Sequence, residues 1–161
     1  MIPKKIRPYF KTIRKRIDGD NTLIEGILTC CNSHEFEVLI AGVIKYDLFS
    51  GMHLFPIGEK IALDICCKKC GKVISVFNSD QDGYDRSEVK CGKCALKKPL
   101  FCKKCTDNTF SVEIKYEYPD QQELIDLGIT EMDNAFTWIW ITLECKQCGK
   151  RHSNFVDFET A

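Results

Sequence analysis

Four cysteine pairs in this chain share one spacing: Cys67 with Cys70, Cys91 with Cys94, Cys102 with Cys105, and Cys145 with Cys148. A CxxC turn aims two thiolate sulfurs at one cation, and two such turns close a tetrahedral coordination shell. Cys102, Cys105, Cys145 and Cys148 make one complete set. Zinc suits it, because Zn(II) accepts four thiolates and needs no redox chemistry; iron also fits a tetrahedral sulfur site. For a second site, pairing in sequence order joins Cys67 and Cys70 to Cys91 and Cys94, giving two zinc ions in all. A competing set joins Cys31 to Cys67 and Cys70, with Cys30 or His34 as the fourth ligand.

The competing set arises because the chain repeats itself. Laid over Ile139 to Phe155 without gaps, Ile61 to Phe77 matches at eight of seventeen positions, including Cys67-Lys68 and Cys70-Gly71-Lys72 over Cys145-Lys146 and Cys148-Gly149-Lys150. Upstream, Cys31, Phe36, Val38 and Ile40 fall on Cys105, Phe110, Val112 and Ile114, but Leu28 occupies the place of Cys102. Each copy reads as an early cysteine segment, an alternating strand, a variable excursion, a second strand and a CxxCGK knuckle. The glycines after the knuckles, Gly71 and Gly149, read as turn residues, since neither belongs to a glycine-rich phosphate loop.

The elements that must carry these turns are mostly strands. Phe110, Val112, Ile114, Tyr116 and Tyr118 alternate with polar residues, Phe136 to Cys145 is rich in strand formers, and Arg151 onward can return antiparallel after Gly149. Pro119 to Leu127 reads as a helix closed by Gly128. At the N-terminus Ile6, Phe10, Ile13 and Ile17 recur at spacings of four, three and four, which predicts a basic amphipathic helix limited by Pro8. The expected architecture is therefore α+β but strand-dominated. Residues 1–22 form a basic helical segment, and 23–94 and 95–161 form tandem modules built on antiparallel sheets.

The paired CxxC turns, above all Cys67 to Cys70 and Cys145 to Cys148, resemble those of the broad class of zinc-ribbon and zinc-knuckle proteins. That class includes enzymes, transcription factors and adaptor modules, so the resemblance implies a metal-stabilised scaffold and leaves the task open.

Chemistry narrows the choice. A hydrolytic metal site keeps a coordination position open for water, whereas four thiolates fill the shell. A thiol redox site needs an exposed, low-pKa pair; Cys91-Gly92-Lys93-Cys94 is the best candidate, without a surrounding βαβ pattern. Cys30 and Cys66 also read as small core hydrophobes. Formal charge is zero over the chain, with 23 basic and 23 acidic residues, which disfavours indiscriminate nucleic-acid binding. The distribution is uneven, however. Met1 to Ile17 holds seven basic residues and no acid, Lys90 to Lys104 is a second acid-free run, and Glu113 to Asp133 is acidic.

Lys11, Arg14, Lys15, Lys93, Lys97 and Lys98 are accordingly the candidate recognition residues. Trp138, Trp140 and Tyr116 are available either for stacking on bases or for packing across strands. The expectation is a non-enzymatic, zinc-stabilised recognition module for a protein partner, regulatory or neutralising, with nucleic-acid binding as the alternative and thiol redox behind it. No small-molecule substrate is indicated. The N-terminal stretch lacks the apolar core of a signal peptide and no apolar run is long enough to span a bilayer, which together with the abundant unpaired cysteine points to the cytoplasm.

Overall fold

The computed structural model describes residues 1–85 and 96–161. Strand accounts for 51% of it and helix for 8%, arranged as a curled antiparallel sheet, so the α+β expectation is corrected to a β architecture. After a 3-10 turn at Arg7–Tyr9, the strands are β1 (Phe10–Asp18), β2 (Asn21–Leu28), β3 (Phe36–Ala41), β4 (Val43–Asp47), β5 (Gly51–Phe55), β6 (Ala62–Cys67) and β7 (Val73–Asn78). Then come β8 (Lys98–Pro99), β9 (Phe110–Tyr118), helix α1 (Gln121–Asp126), β10 (Trp138–Cys145) and β11 (Arg151–Glu159). No helix among the described residues is long and apolar enough to cross a membrane.

The N-terminal amphipathic helix is the main correction. Phe10 to Asp18 is a strand, paired antiparallel with β2 from Phe10↔Leu28 to Asp18↔Asn21 around a turn at Gly19 and Asp20. Pro3 and Pro8 oppose a helix, and β-branched Thr12, Ile13 and Ile17 fit an extended chain. The residues thought to share a helical face are also parted. Ile6 is fully buried and the Phe10 ring lies 6.0 Å from that of Tyr116, while Ile13 and Ile17 face solvent at 60% and 77% exposure. Pairing with β2 along the strand, interrupted by a register shift between Thr12 and Arg14, gives its backbone groups partners, and that tertiary term outweighs the helical spacing.

Two three-stranded units recur with the same connectivity. In the first, β3 pairs with β6 and β6 with β7; in the second, β9 pairs with β10 and β10 with β11. The excursion between first and second strands is the β4–β5 hairpin in one unit and α1 in the other. Asp120 caps α1, its carboxylate accepting from the backbone N–H groups of Gln122 and Glu123. Each unit has a bulge at the same place, after Leu63 in β6 and after Ile141 in β10. The units meet where Phe36 of β3 pairs antiparallel with Phe110 of β9. These residues match in the two copies, so the contact has local two-fold character.

The core lies between the units. Phe77 of β7 sits 6.3 Å, ring to ring, from Phe136 and 5.4 Å from Phe158, and Phe136 lies 5.0 Å from Tyr116 of β9. On the opposite face of β10, Trp138 and Trp140 stack on one another at 5.5 Å with planes 10° apart, and the Lys115 ammonium lies 3.9 Å from the centre of the Trp140 ring. The Trp138 indole N–H donates to Asp157 at 2.6 Å.

Candidate metal centres

Each CxxCGK segment folds into one hydrogen-bonded knuckle. The N–H of Cys67 donates to Lys72 O and that of Gly71 to Cys67 O, at 2.9 and 2.8 Å; Cys145 with Lys150 and Gly149 with Cys145 repeat both bonds at 2.9 Å. Gly71 and Gly149 have φ of 74° and 72°, where a side chain is strained. Cys102 to Asp107 makes a third copy, with Cys102 N–H to Asp107 O and Thr106 N–H to Cys102 O both at 2.8 Å. Thr106 takes the glycine's place at φ 65°.

The last strands close these turns on each other. Cys145 ends β10 and Phe110 opens β9; they are cross-strand partners, and the backbone N–H of Lys146 donates to Thr109 O at 2.9 Å. Four sulfurs are thereby gathered: Cys102 and Cys148 are 3.7 Å apart, Cys105 and Cys145 3.4 Å, and all four lie within 4.8 Å of one another. A regular tetrahedron with metal–sulfur bonds of about 2.3 Å has sulfurs about 3.8 Å apart. The spacing therefore suits a thiolate-bound cation.

The first unit gathers Cys30, Cys31, Cys67 and Cys70, again within 4.8 Å, with Cys30 at 3.7 Å from Cys70 and 3.9 Å from Cys31. A vicinal pair replaces the missing knuckle. Cys31 and Asn32 both take left-handed backbone angles, φ 54° and 57°, and Cys30 and Ser33 exchange backbone hydrogen bonds at 2.8 and 3.0 Å, so adjacent cysteines point to one centre. Cys30 thus stands where the repeat alignment left Leu28. The Asn after the vicinal pair is the available sequence signal, because Asn tolerates left-handed angles better than most residues.

The other candidate ligands lie elsewhere. His34 Nδ1 is 3.3 Å from Leu28 O and belongs to neither sulfur group, and the Cys66 thiol donates to Gly71 O at 3.4 Å. Cys91, Cys94 and Lys93, and with them the sequence-order ligand set, fall outside the described residues.

The thiols respond to their surroundings in pairs. Burial pushes Cys30 and Cys145 up to about 12. Cys70 is brought down to about 7, first by the backbone N–H of Lys72. At Cys148 burial works against ionisation, yet the backbone N–H of Lys150 and the neighbouring thiols bring it to about 7. Each cluster thus contains an easily ionised thiol beside a reluctant one. Four ionised sulfurs at this spacing need a cation to balance them.

From the sequence alone His152 is no more than a weak ligand or acid-base candidate. It is fully buried on β11, accepts the backbone N–H of Met52 on Nδ1 at 3.0 Å, and places Nε2 3.8 Å from Cys102 Sγ. Burial first, then the Lys150 and His53 charges, hold it down to about 4, so the ring is neutral. The chain matches no family model, no curated protein and no solved structure.

The recognition candidates divide. Lys11, Arg14 and Lys15 project from β1, where every residue after Phe10 is exposed, and Arg14 lies 4.0 Å from Glu25. Lys98 is exposed on β8, whereas Lys97 pairs with the mostly buried Asp64 at 2.5 Å. Two knuckle lysines are engaged within the chain. Lys72 covers the Tyr9 ring at 5.2 Å, and Lys150 donates to Leu48 O and Phe49 O at 3.5 and 3.1 Å.

Proposed function

We propose that this chain is a non-enzymatic recognition module stabilised by two zinc ions, each held by four cysteines, and that it binds an acidic, extended segment of a partner protein along β1. The ligands of the first ion are Cys30, Cys31, Cys67 and Cys70, and those of the second are Cys102, Cys105, Cys145 and Cys148. Four thiolates leave no coordination position for a substrate or a reactive water, which favours a structural role for both ions.

The observation that carries the recognition reading is β1 itself. It is an edge strand of the nine-stranded sheet, exposed along its length, and it carries Lys11, Arg14, Lys15 and Arg16 without an acidic residue before Asp18. An edge offers a row of unpaired backbone groups, and a strand added there would bring its side chains against the cations. Basic side chains also guard edges against self-association, and both roles are served by a sequence that repels its own kind and admits an acidic strand. The alternative reading, nucleic-acid binding, draws on the same cations. It loses its stacking platform, because Trp138 and Trp140 stack on each other, Lys115 covers Trp140 and Tyr116 is buried.

Elemental analysis of reduced, untreated protein is expected to give a zinc-to-chain ratio near two, falling to one in Cys70→Ser, where an exposed ligand of the first cluster is lost. Protein that holds no metal would sink the scaffold reading. For recognition, the probe is an acidic, β-prone peptide as long as β1. Arg14→Glu with Arg16→Glu should weaken its binding by about tenfold, two exposed charge contacts at about 0.7 kcal/mol each, and a proline at the peptide's centre should abolish it. Equal binding by the proline peptide, or preferential salt-sensitive binding of single-stranded DNA or RNA, would reject strand addition in favour of charge alone.

A further inference from the structure

The two clusters have different surroundings, and the difference centres on one side chain. Position 74 in the first unit is Ile74, a core residue at 4% exposure; its counterpart in the second unit is His152, at 0%. An imidazole in a site that tolerates isoleucine must satisfy two nitrogens in place of none. Its partners are a backbone amide and a cysteine of the second cluster.

We infer that His152 is a positioning residue of the second metal site: its Nε2–H donates to the Cys102 thiolate while its Nδ1 fastens the β4–β5 hairpin over the knuckle, so that this site retains its metal longer than the first. The inference rests on the two-site reading above. The tautomer follows from geometry. Met52 N–H points at Nδ1 from 3.0 Å, and a nitrogen that accepts cannot carry the proton, so the proton resides on Nε2, 3.8 Å from Cys102 Sγ. The Phe110 ring stands edge-on to the imidazole at 6.3 Å and helps enclose it.

The hairpin is shaped to this contact. A Cβ on Gly51 would lie 2.3 Å from His152 Nδ1, and Gly51 also has φ +88°, so glycine is required on both counts. Two further ties come from the same stretch of chain. Lys150 holds the carbonyls of Leu48 and Phe49 at the hairpin tip, and His53 Nδ1 lies 3.2 Å from Asn154 O. The excursion of the first unit is therefore anchored on the knuckle of the second, with His152 as the link that reaches a metal ligand.

The chemistry favours retention at this site. Four thiolates around a divalent cation leave two negative charges in excess, and an N–H donor aimed at one sulfur offsets part of that charge and fixes the ligand's direction. The first cluster has Ile74 in that position, and its Cys31 and Cys70 are exposed. Water and competing ligands reach those sulfurs directly.

The test uses the full chain loaded with zinc and a chromogenic chelator. Wild type should release its ions in two steps, and Cys70→Ser should remove the faster one. His152→Asn keeps an oxygen near Nδ1 to accept Met52 N–H but is too short to reach Cys102; the slower step should accelerate by about 10–100-fold, the usual cost of losing an outer hydrogen bond to a metal ligand. His152→Gln, whose amide reaches the Nε2 position, should recover most of the wild-type rate. Hydrogen exchange at the Met52 amide supplies an independent readout, with protection kept in His152→Asn and lost in His152→Leu. Release from His152→Asn at the wild-type rate, or equal acceleration in Asn and Gln variants, overturns the role of His152. Wild type that binds no zinc overturns the two-site reading and this inference together, so the two failures are distinguishable.

Discussion

Cys145→Ser is expected to abolish cooperative unfolding of the chain and not merely to lower its midpoint. Cys145 is fully buried at the end of β10, and its backbone closes the knuckle through Lys150 O and Gly149 N–H. Serine neither ionises as thiolate nor binds zinc comparably, so the variant leaves Cys102, Cys105 and Cys148 as an uncompensated sulfur group in a partly buried site. A structural zinc contributes an apparent ~10–16 kcal/mol to its fold, against a total stability of ~5–15 kcal/mol for an ordinary domain. The loss is therefore comparable with everything that holds the chain together.

Trp138 and Trp140 lie on the same strand as Cys145, so their fluorescence during a denaturant titration reports the event directly. Wild type should show a single transition, and Cys145→Ser a broad drift from the start. Chelating zinc from reduced wild type should reproduce the drift. A variant that melts cooperatively within ~1 kcal/mol of wild type would show that the hydrophobic core alone carries this half.

What could be read from the sequence, and what could not, follows from how local each determinant is. The CxxCGK knuckle is fixed by residues within one turn, so two cysteines, a glycine at φ above 70° and a lysine suffice to locate it. The strand from Phe110 to Tyr118 alternates strictly and its burial alternates with it, because its neighbours on both sides are long strands. The N-terminal segment had no such clarity. Spacings of four, three and four suit a helix, and only pairing with β2, which returns alongside after the turn at Gly19 and Asp20, decides for strand. Cys30 and Cys31 are ambiguous for a different reason: whether adjacent cysteines converge depends on left-handed angles at Cys31 and Asn32, which Asn32 hints at and Cys31 does not. His152, a weak candidate by residue type, is singled out by the repeat alignment, which sets it against Ile74. A polar residue opposite an apolar one marks a place where the copies have diverged in environment.

Phe110→Ala should be the costliest change outside the cysteines, at about 3–5 kcal/mol. Phe36 and Phe110 are both fully buried, and their pairing joins β3 to β9. Phe110 also faces Cys145 across the β9–β10 ladder and lies edge-on to His152, so its ring supports the second cluster as well as the junction. Phe36 has the matching role against Cys67. Because side chains opposite one another in an antiparallel pair have Cβ atoms about 5 Å apart, the two deletions share one cavity, and their effects should not add. Phe36→Leu, Phe110→Leu and the double variant keep the chain folded well enough for urea titration; a coupling of about 0.5–3 kcal/mol is expected, with the double variant less damaging than the sum. Strict additivity would mean that the units are stabilised separately and merely touch at this point. Coupling would mean that the two-fold contact is where the halves become one cooperative body, and that losing metal at one end is felt at the other.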